Sequence, residues 1–378
     1  MNTRKPVVLL APLDWGLGHT VRCIPIVKEL LLAGCEVIVA CNSKQKLLLT
    51  KEFPSIKYVP LEGYNIYYGK NRLKTIFNLF LQGPKLLTKI NLEHNWLREF
   101  LINNSVNAVI ADNRYGLFSA DIPCILMTHQ LRVKSGMGSI IDGLVQKVLY
   151  YYISKFTECW VPDWENPILN AGGELSHPRK IPRLPIKYLG CFSRFQKCVQ
   201  SIHTNQILII LSGPEPQRTI LEKKMIDQLK TYEGVGVLVR GVFDKSTIPS
   251  FKNITVLNNA SALDLNKLIC SCEIIISRAG YTSIMDILKL EKKCILIPTP
   301  GQAEQEYLAS YLHKKKHAFS ISQGKFCLQT ILKSVREFPF IGISGFTDQY
   351  QATVKDFANR VNQTFDQSSF LDFGKSKK

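Results

Sequence analysis

Residues 6–41 read PVVLLAPLDWGLGHTVRCIPIVKELLLAGCEVIVAC, and their pattern decides the fold. Pro6 to Pro12 is an unbroken apolar run that predicts a buried strand. A glycine-containing turn follows, and IPIVKELLLAG then has the apolar spacing of a helix stopped by Gly34. CEVIVAC predicts a second buried strand. Strand, glycine turn, helix and strand form a βαβ unit, and apolar runs that do not alternate belong to a parallel sheet covered on both faces. Working outward, NAVIAD (Asn107 to Asp112) and PCILMTH (Pro123 to His129) predict further strands that end in polar residues. Ligands of open parallel sheets lie beyond the carboxyl ends of the strands, so candidate site residues are sought there.

A second series begins near Asn205. It comprises the strand QILIIL, a helix from about Thr219 to Leu229, the strands GVLVRG and NITVLN, a helical LDLNKLICSC, the strand EIIIS, the helix TSIMDILKL and the strand KCILIP. Between the two series lies the basic, proline-rich stretch HPRKIPRLPIKYLGCFSRFQKC, in which IKYLG predicts the last strand of the first unit and Ser193 to Thr204 the linker. Asp348 to Phe365 predicts a polar-faced helix, and Gly374 to Lys378 a frayed basic tail. The expected class is therefore α/β, with two Rossmann-like doubly wound parallel-sheet domains at 1–192 and 205–345. The segment 346–378 is expected to return to the first domain.

At 378 residues, with 46% hydrophobic and 21% charged residues, the chain can build two cores, and the composition excludes disorder and collagen. The 48 Lys and Arg against 30 Asp and Glu leave a formal charge of +18, which calls for anionic partners. Nucleic acid, anionic lipid headgroups and phosphorylated metabolites all qualify. Neither a zinc-finger spacing nor the aromatic basic run of an RNA-recognition sheet is present, so nucleic acid is not expected. The 11 cysteines contain no CxxC pair and read as reduced thiols; Cys270 and Cys272 suit one face of a strand better than a metal site. The N-terminal apolar run is too short for a signal peptide, and no run of apolar residues is long enough to span a bilayer. The expected location is the cytoplasm, with peripheral docking on the inner face of the plasma membrane left open.

Four constellations could carry chemistry. The first, Asp14-Trp15-Gly16-Leu17-Gly18-His19-Thr20, follows strand one. Its glycines let a ligand approach the backbone and the N–H groups of the next helix. It lacks the third glycine of the dinucleotide fingerprint, and Cys41 and Asn42 stand where that motif needs an acid, which disfavours a nicotinamide cofactor. His19 reads either as a polar cap of the turn or as a general base. The second is Arg278-Ala279-Gly280-Tyr281-Thr282-Ser283 with Asp286, a helix start that could hold a diphosphate while Asp286 accepts from ribose hydroxyls; the alternative is an ordinary capped helix. In the third, Pro298 to Tyr307, the side chains of Glu304, Gln305 and Glu306 could grip sugar hydroxyls or simply be a solvated helix start. The fourth is Ser212-Gly213 with Arg218.

Together these stretches resemble the glycosyltransferases of the two-Rossmann-domain GT-B fold, and specifically family 28, most strongly in SRAGYTSIMDILKLEKKCILIPTPGQAEQEYLA. The resemblance implies two domains facing a central cleft. It also implies that Gly16, Gly18, Ser212, Gly213, Arg218, Arg278, Gly280, Thr282, Ser283, Asp286, Glu304, Gln305 and Glu306 bind the donor. Asp286 stands where the family usually has Glu, Ala279 where it has Ser, and Pro214 and Pro216 replace small residues of its second glycine loop. Asp14, Arg114 of DNRYG and His129 of THQL fall on the acceptor side. The implied activity is transfer of a sugar, a hexosamine such as GlcNAc, from a UDP-sugar to a hydroxyl acceptor that could be lipid-linked, with inversion. No Asp-x-Asp pair follows a suitable strand, so neither a metal nor any other cofactor is expected. His19 would be the base and Asp112 its orienting carboxylate, unless Asp112 merely caps the following turn. The segment Ile140 to Phe156 reads either as a membrane-surface helix or as a core helix. A nucleotide-sugar hydrolase, an epimerase of this fold and a non-catalytic nucleotide-sugar-binding protein are the competing readings.

Overall fold

The computed structural model describes residues 5–64, 82–191, 193–197, 206–242, 247–342 and 349–375, with side chains of the last helix to Phe365. Two wholly parallel sheets account for the strands. The first contains β1 (Val7–Pro12), β2 (Glu36–Cys41), β3 (Lys57–Pro60), β4 (Ala108–Asp112), β5 (Cys124–Met127), β6 (Glu158–Val161) and β7 (Ile186–Tyr188) in the order β3-β2-β1-β4-β5-β6-β7. The second contains β8 (Ile207–Ile210), β9 (Gly236–Val239), β10 (Ile254–Leu257), β11 (Ile274–Ser277), β12 (Lys293–Leu296) and β13 (Phe319–Ser320) in the order β10-β9-β8-β11-β12-β13. In each sheet the strand order reverses beside the first strand, between β1 and β4 and between β8 and β11, which is where such sheets open a crevice.

Register places the site. Pro12 of β1 lies opposite Asp112 of β4, and Asp112 opposite Met127 of β5, so the loops carrying His19, Asn113 and His129 leave the sheet side by side. In the second sheet Ser277 pairs with Ile210 and with Leu296, so the loops after β8, β11 and β12 also emerge together.

The described helices are α1 (Leu17–Leu32), α2 (Ser43–Glu52), α3 (Gly83–Asn103), α4 (Ser139–Ile153), α5 (Gln217–Leu229), α6 (Ala262–Ser271), α7 (Tyr281–Lys289), α8 (Ala303–Lys314), α9 (Leu328–Glu337) and α10 (Tyr350–Lys375). They cover both faces of the sheets, which is why the strands of the cores read as apolar runs.

Three strands escaped the sequence reading. β3 (KYVP) and β6 (ECWV) each open on a charged residue and lack the unbroken apolar run of a strand such as β1, and β13 has only two residues. α10 starts at Tyr350 and continues past Phe365 to Lys375, since no helix breaker intervenes before Gly374. Residues 198–204 of the expected linker and 376–378 of the expected tail lie outside the described residues. Among the described residues nine cysteines are free thiols, but Cys270 is disulfide-bonded, which corrects the expectation of reduced thiols throughout. Cys270 and Cys272 also do not share a strand face, because α6 extends to Ser271. That end of α6 sits against the linker: the Gln196 N–H donates to Asn266 Oδ1 at 2.7 Å, and Asn266 returns a bond to the Gln196 carbonyl.

α10 crosses back from the second sheet to the first. Its Val354, Phe357, Ala358 and Val361 join the core formed by α1 and β1, and Phe357 packs edge-on against the fully buried Trp160 with ring centroids 5.4 Å apart. Truncating a buried aromatic removes its transfer energy and leaves a cavity. Phe357→Ala is expected to cost about 3–5 kcal/mol in urea unfolding of the full chain, and Phe357→Leu distinctly less.

Candidate active site

The first half of the site is organised by α1. Gly16, at φ 78°, turns the chain into the helix, and no side chain caps the helix start. Gln45, buried on α2, holds this turn from below by donating to the Leu13 carbonyl at 2.9 Å and to Thr20 Oγ1 at 3.1 Å. His19 therefore lies in the first turn of α1, and Arg22, three residues on, projects from the same face.

Both reach Asp112, the last residue of β4, which is fully buried. His19 Nδ1 lies 3.1 Å from Asp112 Oδ2. Arg22 forks the same carboxylate, with Nε 2.9 Å from Oδ2 and Nη2 on Oδ1, and the Cys23 thiol lies 3.7 Å from Oδ2. Burial alone would raise the Asp112 pKa, but Arg22 and then His19 outweigh it and bring it down to about 2. The His19 pKa is lowered by burial first and by the Arg22 cation second, against the pull of Asp112. A neutral imidazole with Nδ1–H on the carboxylate leaves Nε2 with its lone pair.

The second half of the site comes from α7 and α8. Glu304, in the first turn of α8, accepts from His129 Nε2 at 2.8 Å and from Gln130 Nε2, both just past β5 of the first sheet. The His129 ring stacks on Tyr281 with centroids 3.9 Å apart, and the Tyr281 hydroxyl donates to the Pro162 carbonyl. Thr282 Oγ1 donates to the Gly18 carbonyl at 3.2 Å, and a Cβ on Gly18 would stand 3.1 Å from the same oxygen. The starts of α1 and α7 thus meet across the cleft, with that of α8 held to the β5 loop beside them, and none of the three has a side-chain cap. Three helix N-termini converging on one cleft favour an anion there. Two cavities of about 570 and 640 Å³ lie at the opposite, amino-terminal edges of the sheets, lined by residues such as Tyr232 and Phe53, away from these converging side chains.

Residues 244–360 match the family model of the glycosyltransferase family 28 C-terminal domain. The chain is 26% identical over 344 residues to an "uncharacterized glycosyltransferase" of Methanosarcina acetivorans, with 85% of this chain and 87% of the relative covered. It is 22% identical over 333 residues, at the same coverage, to the UDP-N-acetylglucosamine–N-acetylmuramyl-(pentapeptide) pyrophosphoryl-undecaprenol N-acetylglucosamine transferase of Clostridium perfringens. Among solved structures, the glycotransferase of kitacinnamycin shares the fold with a TM-score of 0.61 at 12% identity, covering 98% of this chain and 99% of that one. The chain is a glycosyltransferase with the GT-B fold, and its residues 244–360 form a family 28 C-terminal domain.

Within this glycosyltransferase the expected donor residues divide. Gly280, Thr282 and Ser283 sit at the open start of α7, facing the first domain through Thr282. Asp286 lies one turn further and accepts from the Ser193 hydroxyl of the linker. Burial pushes its pKa up to about 6 against the opposing effects of Ser193 and Arg194. Gln305 and Glu306 turn back onto their own loop, accepting from the N–H groups of Thr299 at 2.9 Å and Gly301 at 3.0 Å. Gly213, at φ 104°, is open to solvent beside the half-buried Ser212. The start of α5 beyond it is already served by Glu215, whose carboxylate accepts from the Thr219 N–H.

Three arginines expected to contact a ligand are held by protein groups in the structure. Arg278 is buried, donating to the carbonyls of Gln217, Ile297 and Pro298, so it braces the loops after β11 and β12. Arg218 is held by Glu215 and Glu222 and by the Arg240 carbonyl. Arg114 is fully buried, donating to the carbonyls of Pro12 and Glu62 and to Glu93 at 2.7 Å. Asp14 likewise accepts from the Tyr64 N–H and is seated over Gly63, where a Cβ would lie 1.6 Å from its Oδ2. His129 does face the cleft, but toward Glu304. Arg22, Gln45, Gln130, Tyr281 and Ser193 were missed from the sequence. Of these, only Arg22 carried a local signal, its i+3 spacing from His19.

A carboxyl whose folded pKa exceeds its unfolded value destabilises the fold once it ionises. From Asp286 the contribution is absent below about pH 4, grows through about pH 6 and then stays constant. In denaturant unfolding, Asp286→Asn is expected to match the parent in unfolding free energy near pH 4 and to exceed it at pH 8 by about 2–3 kcal/mol at most.

Proposed function

We propose that this glycosyltransferase moves a sugar, a hexosamine such as GlcNAc, from a UDP-sugar to a hydroxyl of a phosphorylated, lipid-linked acceptor, with inversion and without a metal or other cofactor. The observation that carries the reading is the His19 Nδ1 to Asp112 contact at the mouth of the β1 loop. It orients a neutral imidazole whose Nε2 can take the acceptor proton as the acceptor oxygen bonds to the anomeric carbon. The bond from that carbon to the diphosphate breaks, and its electron pair leaves with the nucleotide. In this reading the uncapped starts of α7 and α1, with Thr282 and Ser283, offset the diphosphate charge, and Asp286 accepts from the ribose.

A lipid-linked acceptor fits α4. Ile140, Leu144, Val148 and Tyr151 are exposed at spacings of four, four and three residues, so they form one stripe along the helix. Lys147 accompanies the stripe, and Lys155 Nζ lies 4.6 Å over the Tyr151 ring. An exposed apolar stripe flanked by lysines suits an anionic bilayer surface, where the net charge of +18 adds attraction. Among the described residues no helix is long and apolar enough to cross a membrane.

Incubation of the full chain with labelled UDP-GlcNAc and polyprenyl-diphosphate-linked saccharides in vesicles is expected to move label into the lipid fraction. His19→Ala is expected to lower that rate by about 100- to 10,000-fold while still binding UDP. Near wild-type transfer by the folded variant would remove His19 as base. Wild-type chain is expected to float with phosphatidylglycerol vesicles, and Leu144→Glu with Val148→Glu to abolish flotation without loss of fold. Flotation unchanged by these substitutions would separate α4 from the membrane.

A further inference from the structure

We propose that Arg22, His129 and Glu304 are positioning residues that fix the proton-accepting tautomer of His19 and supply its counter-charge from the second domain, so that the base is complete only when the domains meet. The proposal rests on His19 being the base of the reaction.

The tautomers follow from which groups can donate. A guanidinium only donates, so the Arg22 Nη1 contact of 3.1 Å to His129 Nδ1 makes that nitrogen an acceptor. The His129 proton is then on Nε2, which donates to Glu304 at 2.8 Å. At the other end, the Asp112 carboxylate accepts, so the His19 proton is on Nδ1. One unbroken chain, His19 to Asp112 to Arg22 to His129 to Glu304, therefore holds two histidines in opposite tautomers and runs from the loop of β1 to α8.

The charge balance explains why the chain needs its far end. Arg22 cancels Asp112, so the base would take up a proton beside a pair with no net charge. With Glu304 included, the linked groups carry a single negative charge before proton uptake and none afterwards. Burial makes the difference count, since charges in such a site are poorly screened. The other titratable groups facing this set are Cys23 on α1, Tyr115 on the loop after β4 and Tyr281 on α7. All three stay neutral because burial pushes their pKa values up. Glu304 in turn stays ionised: burial opposes this, but the hydrogen bond from His129 outweighs it and the Arg22 cation adds to the effect.

Long-range 15N correlation spectra of histidine-labelled full chain, without substrate and over a pH series, test this. Signals are assigned with His19→Gln and His129→Gln. The expected result is a protonated Nδ1 on His19 and a protonated Nε2 on His129 at neutral pH. Arg22→Gln is expected to raise the His19 pKa, and Glu304→Gln to lower it, each by about half to one unit. Arg22→Lys is expected to restore most of the parent value, and the acid limb of the transfer rate with UDP-GlcNAc to move in the same directions. Identical tautomers, a shift of the same sign in both variants, or no shift would overturn the proposal. Glu304→Gln keeps the test valid if Arg22→Gln fails to fold, because Glu304 is a third exposed. Failure of transfer with the expected tautomers would instead count against His19 as the base.

Discussion

The arrangement depends on one buried carboxylate. Asp112 ends β4 with no exposure to water, and a lone anion there would be too costly to keep. It persists because Arg22 forks it and His19 shares one of its oxygens, and both come from successive turns of α1. Removing either partner would leave the rest of a charged cluster buried and unsatisfied. The glycine turn before α1, the Gln45 prop beneath it and the pairing of Pro12 with Asp112 all serve this junction. The residues that orient a candidate base thus also hold the first domain's catalytic edge in place.

The same carboxylate explains how two domains make one site. Arg22 has a donor left after binding Asp112 and spends it on His129, which carries the contact to Glu304 in the second domain. Tyr281 stacks on His129, and Thr282 touches Gly18, so the starts of α7 and α8 are both held against the first domain. Glu304 read from the sequence as a sugar ligand. In the structure it is bound to His129 and Gln130, which places a carboxylate where the two domains meet.

Much of this was legible in local pattern. Unbroken apolar runs revealed the strands of both cores, and glycines and helix starts located the loops at their carboxyl ends. The pairing of His19 with Asp112 was readable because both end or follow strands that neighbour each other in a doubly wound sheet. What stayed hidden depends on distance in sequence. His129 and Glu304 are 175 residues apart, and Arg22 and His129 are 107 apart, so no local spacing links them. Arginines were misread for a related reason. Arg114, Arg218 and Arg278 stand near strand ends where a phosphate ligand would, but whether a guanidinium faces a cleft or backbone carbonyls is decided by packing that no motif encodes. Short edge strands such as β13 are likewise fixed by their neighbours.

In the proposed reaction the helix starts converging between the two domains hold a nucleoside diphosphate. Melting of the full chain in the presence of UDP, GDP or dTDP tests it most directly, because a ligand of the native state raises the transition by mass action. A rise with UDP that exceeds those with the other nucleotides is expected. An unchanged transition with all three would contradict it.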